Sequence, residues 1–370
     1  MDFEHTLAPS GASTPPAARE RPAPCAGKRY RPYAFPKDIE KDLQPLRRPS
    51  TFKAVLGAAE DWFWLTMGGF AVLLGFSNID QLWAIPLMVL AWLVIGSRMR
   101  GLATLLHESA HRSLTRRGWL NYLLGTVLSA WWILQLHWRY HQTHIEEHHP
   151  FLADPNFDPD TKQYARQGLM EQSVEHLFLR NLLETVSGAK TLSNLPYLLR
   201  DRLLGAPGGK LTAAQHLEVA AFLAAWTALI TVLAFNGWLL AFVLVWVVPY
   251  LTTFQAINWV IETSEHFPLV WSRSDSFQVT RNRKGPILER FLTGIHGEGW
   301  HRTHHVRPGI PFYNLAKAHA IMMRDPRYAA FEYETAGLFC GGVNGEPSII
   351  SAIQSELRRF KAAPTQEVMS

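Results

Sequence analysis

The chain has 370 residues, 48% of them hydrophobic, with 14 tryptophans and only two cysteines, Cys25 and Cys340. Two cysteines exclude a disulfide framework, a cysteine-based zinc site and a four-cysteine iron–sulfur cluster. The net charge of +5 is spread over the polar segments, which favours attraction to anionic lipid and gives no reason to expect a nucleic-acid partner.

Residues 1–50 are predicted to form a flexible cytoplasmic tail. They are rich in Pro, Ala, Arg and Lys and have little apolar periodicity. No hydrophobic segment with a small-residue cleavage site follows the first methionine, so we expect no secretory signal. The first apolar stretch is therefore expected to anchor the chain in a membrane.

Four apolar stretches are predicted to span a membrane as two helical hairpins. Each is near the ~20 residues that cross the hydrocarbon layer if flanking Ala and Trp residues are included. A fifth apolar segment, 119–136, is rich in tryptophan and is expected to lie at the membrane interface or to re-enter it. The four predicted spans are 62–76, 82–97, 217–235 and 238–256.

The distribution of basic residues predicts the orientation. Ten Lys or Arg residues occur from Arg19 to Lys53, whereas residues 211–272 contain none. By the positive-inside rule, both termini, including the segment 326–370, face the cytoplasm. Every histidine cluster then lies on that same side, and the body of the protein is a membrane domain at 51–325.

Three histidine clusters, called boxes below, are the main functional signal. They read HESAH at 107–111, HIEEHH at 144–149 and HRTHH at 301–305. Histidines three or four residues apart share one face of a helix, and imidazole suits zinc, copper, iron and nickel. Eight ligands are too many for one ion, so we expect two, and redox-active iron (Fe²⁺) is favoured. The eight predicted ligands are His107, His111, His144, His148, His149, His301, His304 and His305.

The histidines leave three alternatives open. The second box could begin at His141 or at His144, and the helical-turn spacing from His144 to His148 favours the latter. The first box also satisfies HExxH, in which Glu108 would activate water in an intramembrane zinc metalloprotease. A non-catalytic metal-binding membrane protein is a third hypothesis.

The boxes, their order and their neighbouring motifs resemble the integral-membrane fatty acid desaturase and hydroxylase family. The resemblance covers roughly residues 62–319 and includes GEGW at 297–300, DP at 154–155, DPD at 158–160 and FYNL at 312–315. It implies an all-α membrane protein with a cytoplasmic histidine-rich di-iron domain. It also implies oxygen-dependent desaturation of a fatty acyl lipid, with a lipid, carotenoid or sterol hydroxylase as the alternative.

Members of that family use a ninth histidine, for which this chain offers His266. Glu262, one helical turn before it, is expected to accept its second ring proton or to hold a metal-bound water. Other polar residues near the boxes are expected to orient the ligands from outside. The complete set predicted for this supporting role is Glu108, His141, Asp160, Glu262, His296 and Glu298.

The chain contains no CxxC pair, no GxGxxG dinucleotide fingerprint and no recognisable haem domain. Electrons are therefore expected from an external donor of the ferredoxin, rubredoxin or cytochrome type. A basic surface is expected to dock that donor, and its candidate residues are Arg112, Arg116, Arg117, Arg302 and Arg307.

Overall fold

The computed structural model describes residues 33–197, 203, 211–273 and 277–362. This part of the chain is helical and contains no strand. The first six helices are α1 (Lys37–Leu43), α2 (Thr51–Ser77), α3 (Ala84–Ala110), α4 (Gly118–Tyr122), α5 (His137–His141) and α6 (His149–Phe151). The next six are α7 (Pro159–Arg166), α8 (Leu177–Val186), α9 (Ala189–Tyr197), α10 (Ala213–Phe235), α11 (Leu239–Phe242) and α12 (Gln255–His266). The last five are α13 (Ile287–Thr293), α14 (His301–Val306), α15 (Leu315–Met322), α16 (Pro326–Glu332) and α17 (Ile349–Ala362).

Shorter segments with other hydrogen-bond patterns connect these helices. Four are π-helical, at Leu123–Val127, Gln142–His148, Val243–Val247 and Tyr250–Phe254. Five are 3₁₀-helical, at Gln44–Arg47, Ala130–Ile133, Leu269–Trp271, Ile295–Trp300 and Phe312–Asn314. Because π-turns follow one another between α11 and α12, residues 239–271 form one nearly continuous helix of 33 residues.

Three described helices are long and apolar enough to cross a membrane. They are α3, α10 and the continuous helix Leu239–Trp271. The first predicted span lies within α2, which has 27 residues but does not meet the same criterion. Its apolar stretch begins only after Glu60 and Asp61, and these two acidic residues lower the hydropathy of any window long enough to span. Length and composition therefore support three of the four predicted spans.

The spans pack around a shared apolar core. Helices α2 and α3 run side by side, and Leu65, Ile95 and Met99 are buried between them. Trp246 and Phe254 from the long fourth helix join the same cluster. Gly237 turns the chain between α10 and α11 with φ 70, in the region that favours glycine. The bundle therefore holds the ends of α3 and α12 close together.

The apolar segment 119–136 does not form one long helix. It consists of α4, a π-turn and a 3₁₀-turn, and it is interrupted where Leu134 takes φ 56. The indoles of Trp226 and Trp246 donate hydrogen bonds to the carbonyls of Trp131 and Trp132. The segment therefore packs across two of the long helices, and its position at the membrane interface remains a prediction.

The described residues nearest to both ends of the chain include packed helices. Residues 1–32 of the predicted tail lie outside the described residues, but α1 buries Ile39 and Leu43 against α15. At the other end, α17 buries Ile353 and Leu357 in a cluster with Trp259 of α12. The amphipathic patterns of α1 and α17 explain this packing, because each places its apolar residues on one face.

Candidate metal centre

Nine histidines from five segments converge at one end of the helical bundle. The segments are the end of α3, the π-helix at Gln142–His148, α6, the end of α12, and α14. The converging residues are the nine predicted ligands, His107, His111, His144, His148, His149, His266, His301, His304 and His305. Residues up to 198 positions apart in the chain, from His107 to His305, thus share one site.

Five of these imidazoles form the first group, His107, His111, His144, His149 and His304. Each offers a ring nitrogen, and all five nitrogens lie within 4.8 Å of one another. Nε2 of His149 is 3.1 Å from Nε2 of His144 and 3.3 Å from Nε2 of His304. Such convergence of nitrogens on a common point is what one metal ion requires.

The other four imidazoles, His148, His266, His301 and His305, form the second group. Nε2 of His148 is 3.4 Å from Nε2 of His305, and Nε2 of His266 is 2.8 Å from Nε2 of His301. The two groups are adjacent, because the ring centroids of His149 and His305 are 4.5 Å apart. The geometry therefore offers two neighbouring positions for metal ions.

The histidines of the second box are divided between the two metal positions, and the π-helix at Gln142–His148 explains this division. A π-turn brings together residues five apart, and His144 and His149 accordingly meet in the first group. His148 turns to the second group. The rings of His144 and His148 still stack, with centroids 5.2 Å apart, although the nitrogens of the two residues belong to different groups.

Two carboxylates hold the ring of His148. Its Nδ1 is 2.9 Å from Oδ1 of Asp158 and 3.4 Å from a carboxylate oxygen of Asp160. Burial lowers the pKa of His148, but Asp160 and Asp158 outweigh it and raise the pKa to about 9. Asp160 was predicted in this role, whereas Asp158, which is closer, was missed. Asp158 lies nine residues after His149 and in the same DPD motif as Asp160, and this position was the sequence signal that could have identified it.

Glu265 is a second supporting residue that the sequence did not reveal. Its carboxylate is 3.3 Å from Nδ1 of His301 and accepts a hydrogen bond from Arg283. Nδ1 of His266 donates instead to the backbone carbonyl of Val279, at 2.9 Å. Glu262 was expected to take that proton, but it pairs with Arg100 at 3.3 Å. The prediction that Glu262 accepts the His266 ring proton is wrong because Glu262 pairs with Arg100 of α3, whereas its role in holding a metal-bound water stays a prediction.

Glu108, which was predicted to support the ligands, contacts an imidazole of the first box. The buried carboxylate is 3.2 Å from Nδ1 of His107 and accepts hydrogen bonds from the Ser113 hydroxyl and the Phe312 backbone N–H. These contacts tie the first box to the FYNL motif that follows the third box. They also engage the carboxylate that an HExxH protease would need to activate water.

The other predicted supporting residues contact different partners. Glu298 accepts a hydrogen bond from Arg100 at 2.7 Å and approaches Arg283, so it binds arginines and no imidazole. His296 is bound to Asp61 of α2 at 2.6 Å. His141 pairs with Glu146 near the surface, outside both groups. The structure thus separates His141 from the ligand cluster and places His144 within it.

Burial favours the neutral state that metal ligands need in most of the imidazoles, with His148 as the exception because its carboxylate partners raise its pKa. Burial, followed by the proximity of other imidazoles, holds the pKa of the rings well below the usual range for His144, His149, His301, His304 and His305. Neutral rings present lone pairs to a metal ion. Nε2 of His111 is buried and has no hydrogen-bond partner among the described residues. A donor set of imidazoles with carboxylates behind them fits two iron ions.

A cavity of about 200 Å³ opens beside the two groups. Apolar residues such as Ile133, Leu134 and Phe254 form part of its wall, and Arg100 and Lys190 also line it. Five of the nine imidazoles face the cavity, those of His107, His144, His148, His301 and His304. A substrate in the cavity would therefore reach both metal positions.

Two of the five arginines proposed to dock an electron donor are buried. Arg302 binds Glu332 at 2.8 Å and the Thr280 carbonyl, and Arg307 pairs with Glu40 of α1. Both stabilise the packing around α14, so the docking prediction is wrong for them. The other three, Arg112, Arg116 and Arg117, are exposed in the loop that follows the first box.

Comparison with known proteins agrees with this geometry. The family model described as fatty acid desaturase matches residues 83–336. Dihydrorhizobitoxine desaturase of Bradyrhizobium elkanii is 35% identical over 334 residues, which cover 90% of this chain and 92% of that protein. An sn-1 oleoyl-lipid 12-desaturase of Anabaena variabilis is 25% identical over 250 residues, covering 63% and 68%. The chain therefore belongs to the fatty acid desaturase family and is an oxidoreductase.

Proposed function

We propose that the protein is a membrane di-iron enzyme that introduces a carbon–carbon double bond into a fatty acyl chain or a related aliphatic substrate. The convergence of nine imidazoles beside a partly apolar cavity carries this proposal. In the overall reaction, two hydrogens leave adjacent carbons, and with two electrons and two protons they reduce O₂ to two waters. The electrons come from an external carrier protein.

The metal ions supply the oxidising chemistry when they are bound, because iron held by imidazoles can use O₂ to attack an unactivated C–H bond. Other residues of the chain orient the histidines that would hold these ions. Asp158 fixes the ring of His148, Glu265 that of His301, and Glu108 that of His107. Outer contacts of this kind set the ring orientation and the basicity of each ligand.

The cavity positions the substrate and limits the access of water. Its apolar wall, which includes Ile133 and Phe254, suits a hydrocarbon segment placed against the imidazoles. Asn258 and Glu262, which also line the cavity, bind Arg100 of α3. Which carbons are oxidised depends on how deeply the chain enters.

Desaturation is favoured over hydroxylation because both relatives described above are named desaturases. The zinc metalloprotease alternative loses its support. The family match assigns the first box to a desaturase, and Glu108 is engaged by Ser113 and Phe312. The two histidines of the HExxH motif also share their position with three others, which exceeds the ligand set of a catalytic zinc.

The proposed topology has four membrane spans, with α2 as the first. By the positive-inside rule, the basic residues before α2 support an orientation with both termini and the histidine groups at the cytoplasmic face. The exposed arginines Arg112, Arg116 and Arg117 lie next to His111 on that face and offer a docking surface for an acidic electron donor.

Alanine substitutions within and outside the histidine groups test the proposal. His144→Ala, from the first group, should lose metal and abolish product formation, because a ligand is removed. His176→Ala is the matched control, since His176 is exposed at the start of α8 and belongs to neither group. Analysis of host lipids and small metabolites by mass spectrometry would reveal the unsaturated product. Full activity of His144→Ala would refute the proposal.

A further inference from the structure

Lys190 stands out among the residues that line the cavity. It lies in the first turn of α9, where the helix dipole disfavours a positive charge. Its ammonium group donates a hydrogen bond to Oδ1 of Asn181 and lies 4.8 Å from the ring centroid of Trp259. The side chain is partly buried and faces the same cavity as the imidazoles.

No carboxylate of the described residues lies within ion-pair distance of Lys190. The contrast with Arg100, the other cation of the cavity wall, is clear, because Arg100 pairs with Glu298 and Glu262. Burial lowers the pKa of Lys190 to about 8, and the more distant Glu184 opposes that effect. An amide and an aromatic ring compensate a buried charge only in part. Within the part of the chain that the structure describes, Lys190 therefore has no counter-ion.

The surroundings of Lys190 are suited to a polar group. Asn194, four residues further along α9, and Gln163 of α7 also line the cavity and can donate hydrogen bonds. Trp259, which contacts Lys190, precedes His266 by seven residues on α12. This spacing is two helical turns, about 10 Å along the helix axis, so the indole that contacts Lys190 lies on the same helix as a member of the second histidine group.

Building on the proposed function, we infer that Lys190 binds an anionic group of the substrate, a carboxylate or a phosphate. The aliphatic part of the molecule then runs along the cavity to the imidazoles. This specificity differs from that expected for a long neutral acyl chain, which offers no partner to the cation.

Three eight-carbon probes test this inference, namely octanoate, octyl phosphate and octanol. Their dissociation constants would be measured by calorimetry on the iron-loaded protein in nanodiscs of neutral lipid. The wild-type protein should bind at least one anion ~10-fold or more tightly than octanol, because hydrogen bonds to charged groups are the strong ones. The better of the two anions identifies the group as carboxylate or phosphate.

Substitutions assign the preference to Lys190. Lys190→Gln keeps a donor for Asn181 but removes the charge, so it should bring all three probes within ~2-fold of one another, whereas Lys190→Arg should retain the preference. Lys317→Gln, at an exposed position on α15, is the control and should change nothing. Equal binding of octanol and both anions by the wild type, or an undiminished preference in Lys190→Gln, would overturn the inference.

Iron content, measured on the same samples, separates this inference from the proposed function. Lys190→Gln should hold as much iron as the wild type, since Lys190 contacts none of the nine histidines. Iron-loaded protein without an anion preference would refute the role of Lys190 alone. Folded protein that prefers anions but takes up no iron would refute the proposed function alone.

Discussion

Individual side chains behind the ligands are expected to control metal affinity. Asp158→Asn should reduce iron affinity or activity by ~10–100-fold, because the amide cannot hold the His148 ring as the carboxylate does. Asp160→Asn is a matched control from the same motif, since Asp160 is farther from the ring and partly exposed. Iron titration of both variants measures the difference. An equal or larger loss in Asp160→Asn would contradict the assignment.

His266 is predicted to bind metal even though it lies outside the three boxes. His266→Ala should lower iron occupancy at least as much as a supporting residue does, ~10-fold or more, because its Nε2 faces the second group. His137→Ala should have a much smaller effect, since His137 belongs to neither group. Iron content per chain measures both. Full iron occupancy in His266→Ala would exclude it as a ligand.

For individual residues, the sequence identified the converging imidazoles better than it identified the carboxylates that contact them. The nine imidazoles were located from local spacing and from the family resemblance, and the structure brings all nine together. Asp158 and Glu265 were not identified, and Glu262 and Glu298 contact arginines in addition to any role near the ligands. Whether a carboxylate meets an imidazole or an arginine depends on contacts between distant helices, and spacing along one helix carries no information about them.

Close contact between helices is predicted to hold the two halves of the site together. Gly96 of α3 lies against Thr253 and Phe254, and the Thr253 hydroxyl donates to the Trp92 carbonyl at 2.6 Å. A methyl group at position 96 would collide with Thr253 and the backbone of Phe254. Gly96→Ala should therefore destabilise the protein by ~1–3 kcal/mol and loosen the site between α3 and α12.

Gly118→Ala provides the control for Gly96→Ala. A methyl group at position 118 would contact nothing within 4 Å, and the residue begins α4. We expect this substitution to be neutral or slightly stabilising, because alanine favours helix. Thermal unfolding and iron content in detergent would compare the two variants. The packing argument fails if both behave alike.

The helices themselves were predicted unevenly. Long apolar stretches indicated α3, α10 and the helix after Trp238, whereas the turns around the second box were expected to be α-helical and are π-helical instead. A π-turn differs from an α-turn by one residue per hydrogen bond, and hydrophobic periodicity over seven residues cannot distinguish them. No signal in the sequence indicated the helix α1 within the predicted tail, because α1 has only two buried apolar residues.

For the whole molecule, the proposed topology predicts that both ends of the chain lie on one side of the membrane. A reporter that is active only in the cytoplasm should be active when fused to either terminus, because four spans return the chain to its starting side. A fusion at the α10–α11 turn, near Gly237, should be inactive and serves as the control. Activity at one terminus only would require an odd number of spans.

The enzyme is also expected to depend on an external electron donor. The purified enzyme, given O₂, substrate and NAD(P)H alone, should form no product, because the chain has no dinucleotide fingerprint. Addition of a ferredoxin or another carrier with its reductase should restore turnover. Reversal of the charges at Arg112, Arg116 and Arg117 should weaken that restoration most at low ionic strength, where electrostatic steering is strongest. Turnover without any carrier would contradict the expectation.

The metal content of the purified, folded protein tests the central claim most directly. Two adjacent groups of imidazoles predict about two iron ions per chain, and loss of either group should remove iron without unfolding the helical bundle. Elemental analysis together with circular dichroism would measure both quantities. About two irons per folded chain, falling in His144→Ala and in His266→Ala, is the predicted result. A folded, active protein that contains a single zinc ion, or no iron, would contradict the di-iron assignment.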